Sequence, residues 1–170
     1  ARGSTGAVVL AAFLVAGFFG GSAVGSGLGL AGGERWGPAW VSLLVLAAFG
    51  LSLVLAAMGL APQLYMLPLA LGAGAQNAIL PAAGPVRLGI TFVTGTLFAA
   101  GQDLARALWR QAPRWRWLQH LLVWLSLLVG AVLGGVGYAQ AGLWSLAAPM
   151  AIYLTLAAMF LVRPPSKIIG

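Results

Sequence analysis

The sequence predicts an all-α, polytopic transmembrane helix bundle of about six spans, one or two of them discontinuous. Three observations lead there. Apolar residues make up 61% of the 170 positions and charged ones 6%, whereas a soluble domain typically carries about 25% charged residues. The apolar runs extend for roughly 20 residues without alternation, the length a helix needs to cross hydrocarbon; a membrane barrel would alternate in segments of about ten. The basic residues stand at the ends of these runs, as the positive-inside rule expects. The net charge of +7 therefore reads as membrane topology, and no nucleic-acid partner is expected. With no cysteine and one histidine, disulfides, thiolate nucleophiles and His-rich metal sites are excluded. No cofactor is expected, and residues 1–170 read as a single transmembrane domain.

The first span covers about Ala7 to Leu30, with Gly17, Gly21, Gly25 and Gly29 every fourth residue. These stack on one helical face, where small residues let another backbone approach. A loop from Ala31 to Pro38 follows, carrying Glu34 and Arg35, with Trp36 and Trp40 at its interface end. The second span, about Ala39 to Leu60, has only Ser42 and Ser52 as polar positions and reads as lipid-facing scaffold. Pro62 suits the first turn of the next helix.

The third span, about Gln63 to Leu80, is irregular. Pro68 lies inside it, Gly72 and Gly74 weaken it, Gln76 and Asn77 arrive at depth, and Pro81 and Pro85 bracket its exit. A helix interrupted in this way is tolerated only against protein or a wet cavity. The two amides serve either as interhelical glue or as the lining of a polar site at a discontinuous helix.

The fourth span, about Val86 to Trp109, opens on Arg87 and carries Thr91, Thr94 and Thr96, then Gln102, Asp103 and Arg106. At 100° per residue Thr96, Asp103, Arg106 and Arg110 share a face, and Arg106 is spaced to pair with Asp103. Asp103 either sits at headgroup level or is a functional carboxylate, because ionisable groups within membranes are rare and usually functional.

Arg106, Arg110, Arg114 and Arg116, interleaved with Trp109, Trp115 and Trp117, mark a cytoplasmic interface anchor. His120 reads as an interfacial polar residue. The fifth span, about Leu118 to Tyr138, has Gly130 and Gly134 four apart; the sixth, about Leu143 to Val162, ends at Arg163-Pro164-Pro165, with Lys167 beyond. Counting outward from the arginine loop puts both ends of the chain in the cytoplasm. Arg87 is the exception, a positive charge outside or buried at the broken-helix junction. A weak internal repeat aligns Phe13–Gly21 with Leu127–Gly135.

Gly74-Ala75-Gln76-Asn77-Ala78, then Val86-Arg87, then Thr91-Phe92-Val93-Thr94-Gly95-Thr96-Leu97, then Ala105-Arg106 resemble the YoaK-like DUF1275 family of bacterial multi-pass membrane proteins. The pattern departs at Leu88-Gly89, where a family member more often has Thr-Thr. Family members usually open with a further hydrophobic region ending in Met-Thr-Gly-Asn. The resemblance therefore implies a leading segment absent from this chain, and a bacterial inner-membrane location. It supplies no substrate.

Two function classes follow. The first is a small-solute transporter or permease whose polar centre is Gln76, Asn77, Arg87, Thr94 and Thr96, with Asp103 the candidate for proton coupling. Its solute would be small and polar or anionic, with Arg87 holding an anionic group. The second is a non-catalytic membrane subunit that meets a second copy or other subunits through its glycine-lined helix faces. With two carboxylates and one histidine, no constellation for nucleophilic or metal chemistry exists, and an enzyme is not expected.

Overall fold

The structure, a computed structural model, describes residues 2–79, 93–111 and 113–162. Every regular element among the described residues is helical: α1 (Arg2–Ala57), α2 (Pro62–Ala75) continued by a 3-10 turn (Gln76–Ala78), α3 (Val93–Leu108), α4 (Arg116–Ala141), and α5 (Ala147–Val162) after a second 3-10 segment (Gly142–Leu146). Two stretches, Gly6–Ala57 and Arg116–Val162, are long and apolar enough to cross a membrane. Each is more than twice the roughly 20 residues a span requires, and each holds an internal break.

In α1 the break is one residue. Gly33 adopts φ 58° and ψ −164°, a left-handed conformation that suits glycine because no Cβ opposes it. The expected eight-residue loop at 31–38 is thus replaced by a single-residue corner. Beyond it the chain doubles back: a Cβ on Gly37 would stand 2.5 Å from the Gly29 carbonyl oxygen, and Leu28 packs on the cluster that holds Val41. Glu34 and Arg35 are therefore helical, and the Arg35 guanidinium lies 4.7 Å over the Trp36 ring.

The chain divides into two compact units, one holding α1, α2 and α5 and the other α3 and α4. In the first, α2 lies between the two halves of α1. The glycine face of residues 17–29 runs parallel to it. A side chain at Gly21 would collide with the Leu71 carbonyl, and one at Gly25 would come within 2.7 Å of the Ala75 Cα. The other half of α1 runs antiparallel to α2, with Ser52 Oγ donating to the Tyr65 carbonyl and Ala48 beside Gly72. Val41, Val45, Ala75 and Ile79 form the core, with Tyr153 and Phe160 of α5 packed against it. The face expected to receive another chain is thus covered by the protein's own α2.

In the second unit α3 meets α4 through a face of small and polar side chains, while Leu97, Phe98, Leu104 and Leu108 point away from it and are exposed. Ala100 and Asp103 are buried on α3, with Thr96, Ala99 and Ala107 half-buried beside them, which is the 3.6-residue stripe of a packed helix. The α4 segment 127–135, aligned above with 13–21, has surroundings unlike its counterpart: a Cβ at Gly130, Gly134 or Gly135 would meet nothing within 4 Å, whereas Gly17 and Gly21 pack closely on α2. The six-span arrangement is not complete in the described residues, because 80–92 lie outside them.

Candidate functional site

Polar groups gather in two places, one in each unit. The first is the end of α2. Here the helix tightens into the 3-10 turn at Gln76, after the internal Pro68 and the small run Gly72-Ala73-Gly74-Ala75. The α hydrogen-bond pattern lapses at this point, and side chains fill in. Asn77 Nδ2 donates to the Ala73 carbonyl at 3.2 Å and to the Gly74 carbonyl at 3.1 Å. Ser22 Oγ donates to the same Gly74 carbonyl at 3.2 Å. That approach is possible only because residue 74 has no side chain; a Cβ there would run into the Phe18 carbonyl oxygen.

Gln76 Oε1 accepts a hydrogen bond from the Tyr153 hydroxyl at 2.5 Å. Tyr153 is steadied in turn by an edge-on contact with Phe49, ring centroids 5.9 Å apart at 83°, a favoured aromatic geometry. The Gly74–Asn77 motif is thus first an architectural device that stitches α2 to α1 and α5. One atom is left over. Asn77 Oδ1 is buried without a hydrogen-bond partner among the described residues. Turning the amide over would point that oxygen at two carbonyls, so the surroundings fix its orientation.

The second place is Asp103, whose side chain is 5% exposed. Its Oδ2 lies 3.0 Å from Arg116 Nε and 3.5 Å from His120 Nε2, and its Oδ1 lies 3.6 Å from Arg106 Nη1. The i, i+3 pair with Arg106 is the one expected. Arg116 and His120 were not foreseen as partners. They stand four residues apart on α4 and so present one face to α3. His120 is buried against the carboxylate. The pair offers two donors of the kind metals use, but among the described residues no three such side chains gather.

Of the remaining expected residues, Thr94 is exposed and Thr96 half-buried on α3. Arg87, Pro81, Pro85, Thr91, Arg163 and Lys167 lie outside the described residues. The structure brings Gln76 and Asn77 together on one turn and places Thr94, Thr96 and Asp103 on a helix of the other unit. Sequence reasoning missed Tyr153 and Ser22, and it read Arg116 only as part of the interface anchor and not as a partner of Asp103. The available signal for Tyr153 was a hydroxyl-bearing ring inside a 16-residue helix whose other polar side chain is Thr155, which bonds back to the Ala151 carbonyl of its own helix.

Comparison with known proteins adds three findings. A family model described as "Protein of unknown function (DUF1275)" matches residues 1–159. A UPF0700 transmembrane protein of Rhizobium meliloti (strain 1021) is 33% identical over 105 residues, covering 60% of this chain and 46% of that protein, so the chain spans about half the length of this relative. No solved structure matches.

Proposed function

The chain belongs to the DUF1275 family, and we propose that it forms part of a multi-pass inner-membrane permease for a small polar solute, with its polar centre at the break after α2. The observation that carries this reading is Asn77 Oδ1, buried with no hydrogen-bond partner among the described residues. A buried acceptor left unpaired costs about 1–3 kcal/mol, and each native case calls for an occupant or a role. A solute bearing N–H or O–H groups would satisfy it. The reading takes α2 and its 3-10 turn as part of an interrupted span, the feature that marks solute sites in many transporters.

In this reading the chain crosses the membrane six times, with both ends and the arginine-rich connection in the cytoplasm. The halves of α1 form the first two spans, and α2 with its 3-10 turn forms the third. Arg87 is the candidate for an anionic portion of the solute, and Thr94 and Thr96 are the further candidate polar residues of the fourth span. Asp103 serves proton coupling only if Arg106 and Arg116 release it. The protein is not an enzyme and uses no cofactor; its surroundings are lipid.

Cysteine accessibility tests this directly, because the chain has no cysteine of its own. Asn77→Cys in the full-length protein is expected to react with a membrane-impermeant thiol reagent, and a transported solute should slow the reaction. Leu51→Cys, on an exposed apolar face, should stay unreactive. An inert thiol in the Asn77→Cys variant would mean that the turn is packed dry, which overturns the permease reading.

A second reading is supported by the open face at Gly130, Gly134 and Gly135, flanked by exposed Val129, Val132, Leu133 and Val136. A non-catalytic subunit would use this face to meet a second copy or another membrane chain, since close backbone packing at small residues drives helix association in lipid. Disulfide trapping of Gly130→Cys in native membranes is expected to yield a cross-linked dimer or hetero-complex under that reading, and monomer alone under lipid exposure.

A further inference from the structure

We propose that the connection between α3 and α4 is a binding site for the phosphate headgroup of an anionic phospholipid. Its elements are Arg106, Arg110, Arg114 and Arg116, organised by Asp103 and flanked by Trp109 and Trp115. The inference rests on the chain being membrane-embedded and is independent of any solute path through α2.

Charge balance is the first observation. Between positions 103 and 116 four guanidiniums face one carboxylate, Asp103, leaving +3 before His120 is counted. The other acid of the chain, Glu34, lies in the other unit, and α4 has no acidic residue in its first turn. Asp103 is already shared by Arg106 and Arg116. It therefore acts as a buried pedestal that draws two guanidiniums to one carboxylate, Arg116 at 3.0 Å and Arg106 at 3.6 Å, while their side chains stay 37% and 54% exposed. Guanidiniums gathered and still open to solvent suit the oxygens of a phosphodiester, which their planar forks can bind through paired N–H groups.

Backbone geometry is the second. α1 and α3 both end in the same hydrogen-bonded wind: Leu60 N–H to Leu55 O with Gly59 N–H to Ala56 O, and Gln111 N–H to Arg106 O with Arg110 N–H to Ala107 O. This motif puts one residue in the left-handed region, normally glycine. In α1 that residue is Gly59 (φ 72°); in α3 it is Arg110 (φ 57°), alone among described non-glycine residues in having positive φ. An arginine kept where glycine fits better points to a use for its charge.

The flanking rings are the third. Trp109 and Trp115 are 72% and 74% exposed at the two ends of the connection. Tryptophan so placed settles at headgroup level, and basic residues beside it gain from an anionic leaflet.

The test compares phosphatidylglycerol with phosphatidylcholine on the intact protein in a neutral detergent. Bound lipid is counted by native mass spectrometry and the unfolding midpoint is read by tryptophan fluorescence. Phosphatidylglycerol is expected to be retained preferentially, and added salt to abolish the preference. Each basic side chain removed should weaken retention by about fivefold. Arg110→Gly is decisive, because it relieves the backbone: its lipid-free midpoint should hold or rise while its retention of phosphatidylglycerol falls. Arg110→Gly with Arg114→Gln should lose about 25-fold, and Arg35→Gln nothing. Equal retention of the two lipids, wild-type retention by the double variant, or the same stabilisation by inorganic phosphate alone would each overturn the proposal. If the double variant does not fold, lipid preference and its salt dependence in the wild type decide the matter.

Discussion

The Tyr153 hydroxyl donates to Gln76 Oε1 at 2.5 Å across 77 positions of sequence, tying α5 to the turn where α2 breaks. Tyr153→Phe keeps the ring against Phe49 and deletes only the donor. It is expected to destabilise the protein by about 0.5–1.5 kcal/mol, the usual net worth of one hydrogen bond. Gln76→Leu combined with Tyr153→Phe should cost less than the sum of the two, because neither partner is then left unpaired. Reversible unfolding in mixed micelles measures all three; strict additivity would show that the pair is not coupled.

Gly74 should tolerate no side chain. A Cβ there would meet the Phe18 carbonyl and stand 2.8 Å from the Ser22 amide nitrogen. Both are backbone atoms of a packed helix and cannot swing aside. Gly74→Ala is expected to cost at least the roughly 1–3 kcal/mol typical of overpacking and to lower the yield of folded protein. Gly27→Ala, whose Cβ would meet nothing within 4 Å, is the matched control and should be neutral or slightly stabilising, as alanine is the better helix former. Equal effects at the two positions would contradict the packing of α1 on α2.

The contrast between these glycines also shows what the sequence disclosed. Hydrophobic runs and the four-residue glycine spacing gave the helices and a close-packed face on α1. They did not say which helix covers that face, because spacing reports a property of one element and not the identity of its partner. The break near Gln76 was legible from Pro68, the glycines and the amides. Its anchor Tyr153 was not, since a hydroxyl inside an apolar helix does not say which acceptor it reaches through tertiary contact. The one-residue corner at Gly33 was hidden among neighbouring glycines, any of which could have made a longer loop. Asp103 with Arg106 followed from helical spacing, whereas Arg116 and His120 required knowing that α4 folds back along α3.

Asp103 should be the main polar determinant of the α3–α4 hairpin. Asp103→Asn keeps the shape and removes the charge that Arg106 and Arg116 share. Breaking a buried ion pair by removing one partner typically costs about 3–5 kcal/mol. The low end is expected here, because both arginines keep access to water. Arg106→Gln, at the longer and more exposed contact, should cost less than about 1 kcal/mol, the range of surface pairs. Chemical unfolding followed through Trp109 and Trp115 fluorescence orders the variants; Arg106→Gln costing as much as Asp103→Asn would show that the exposed contact carries the energy.

Asn77 separates an architectural role from a solute-binding one by the size of its stability effects. Asn77→Ala deletes two hydrogen bonds, to Ala73 and Gly74, at about 1 kcal/mol each. It also deletes the unpartnered Oδ1, whose burial costs about 1–3 kcal/mol. The terms oppose each other, so the net change is expected within about 1 kcal/mol. Asn77→Asp replaces the donor with a carboxylate oxygen facing the same two carbonyls, and should destabilise by more than the alanine variant. If Asn77 faces a solute, the alanine variant folds normally and yet fails in uptake by reconstituted vesicles. If it serves only to cap α2, uptake follows the amount of folded protein in both variants.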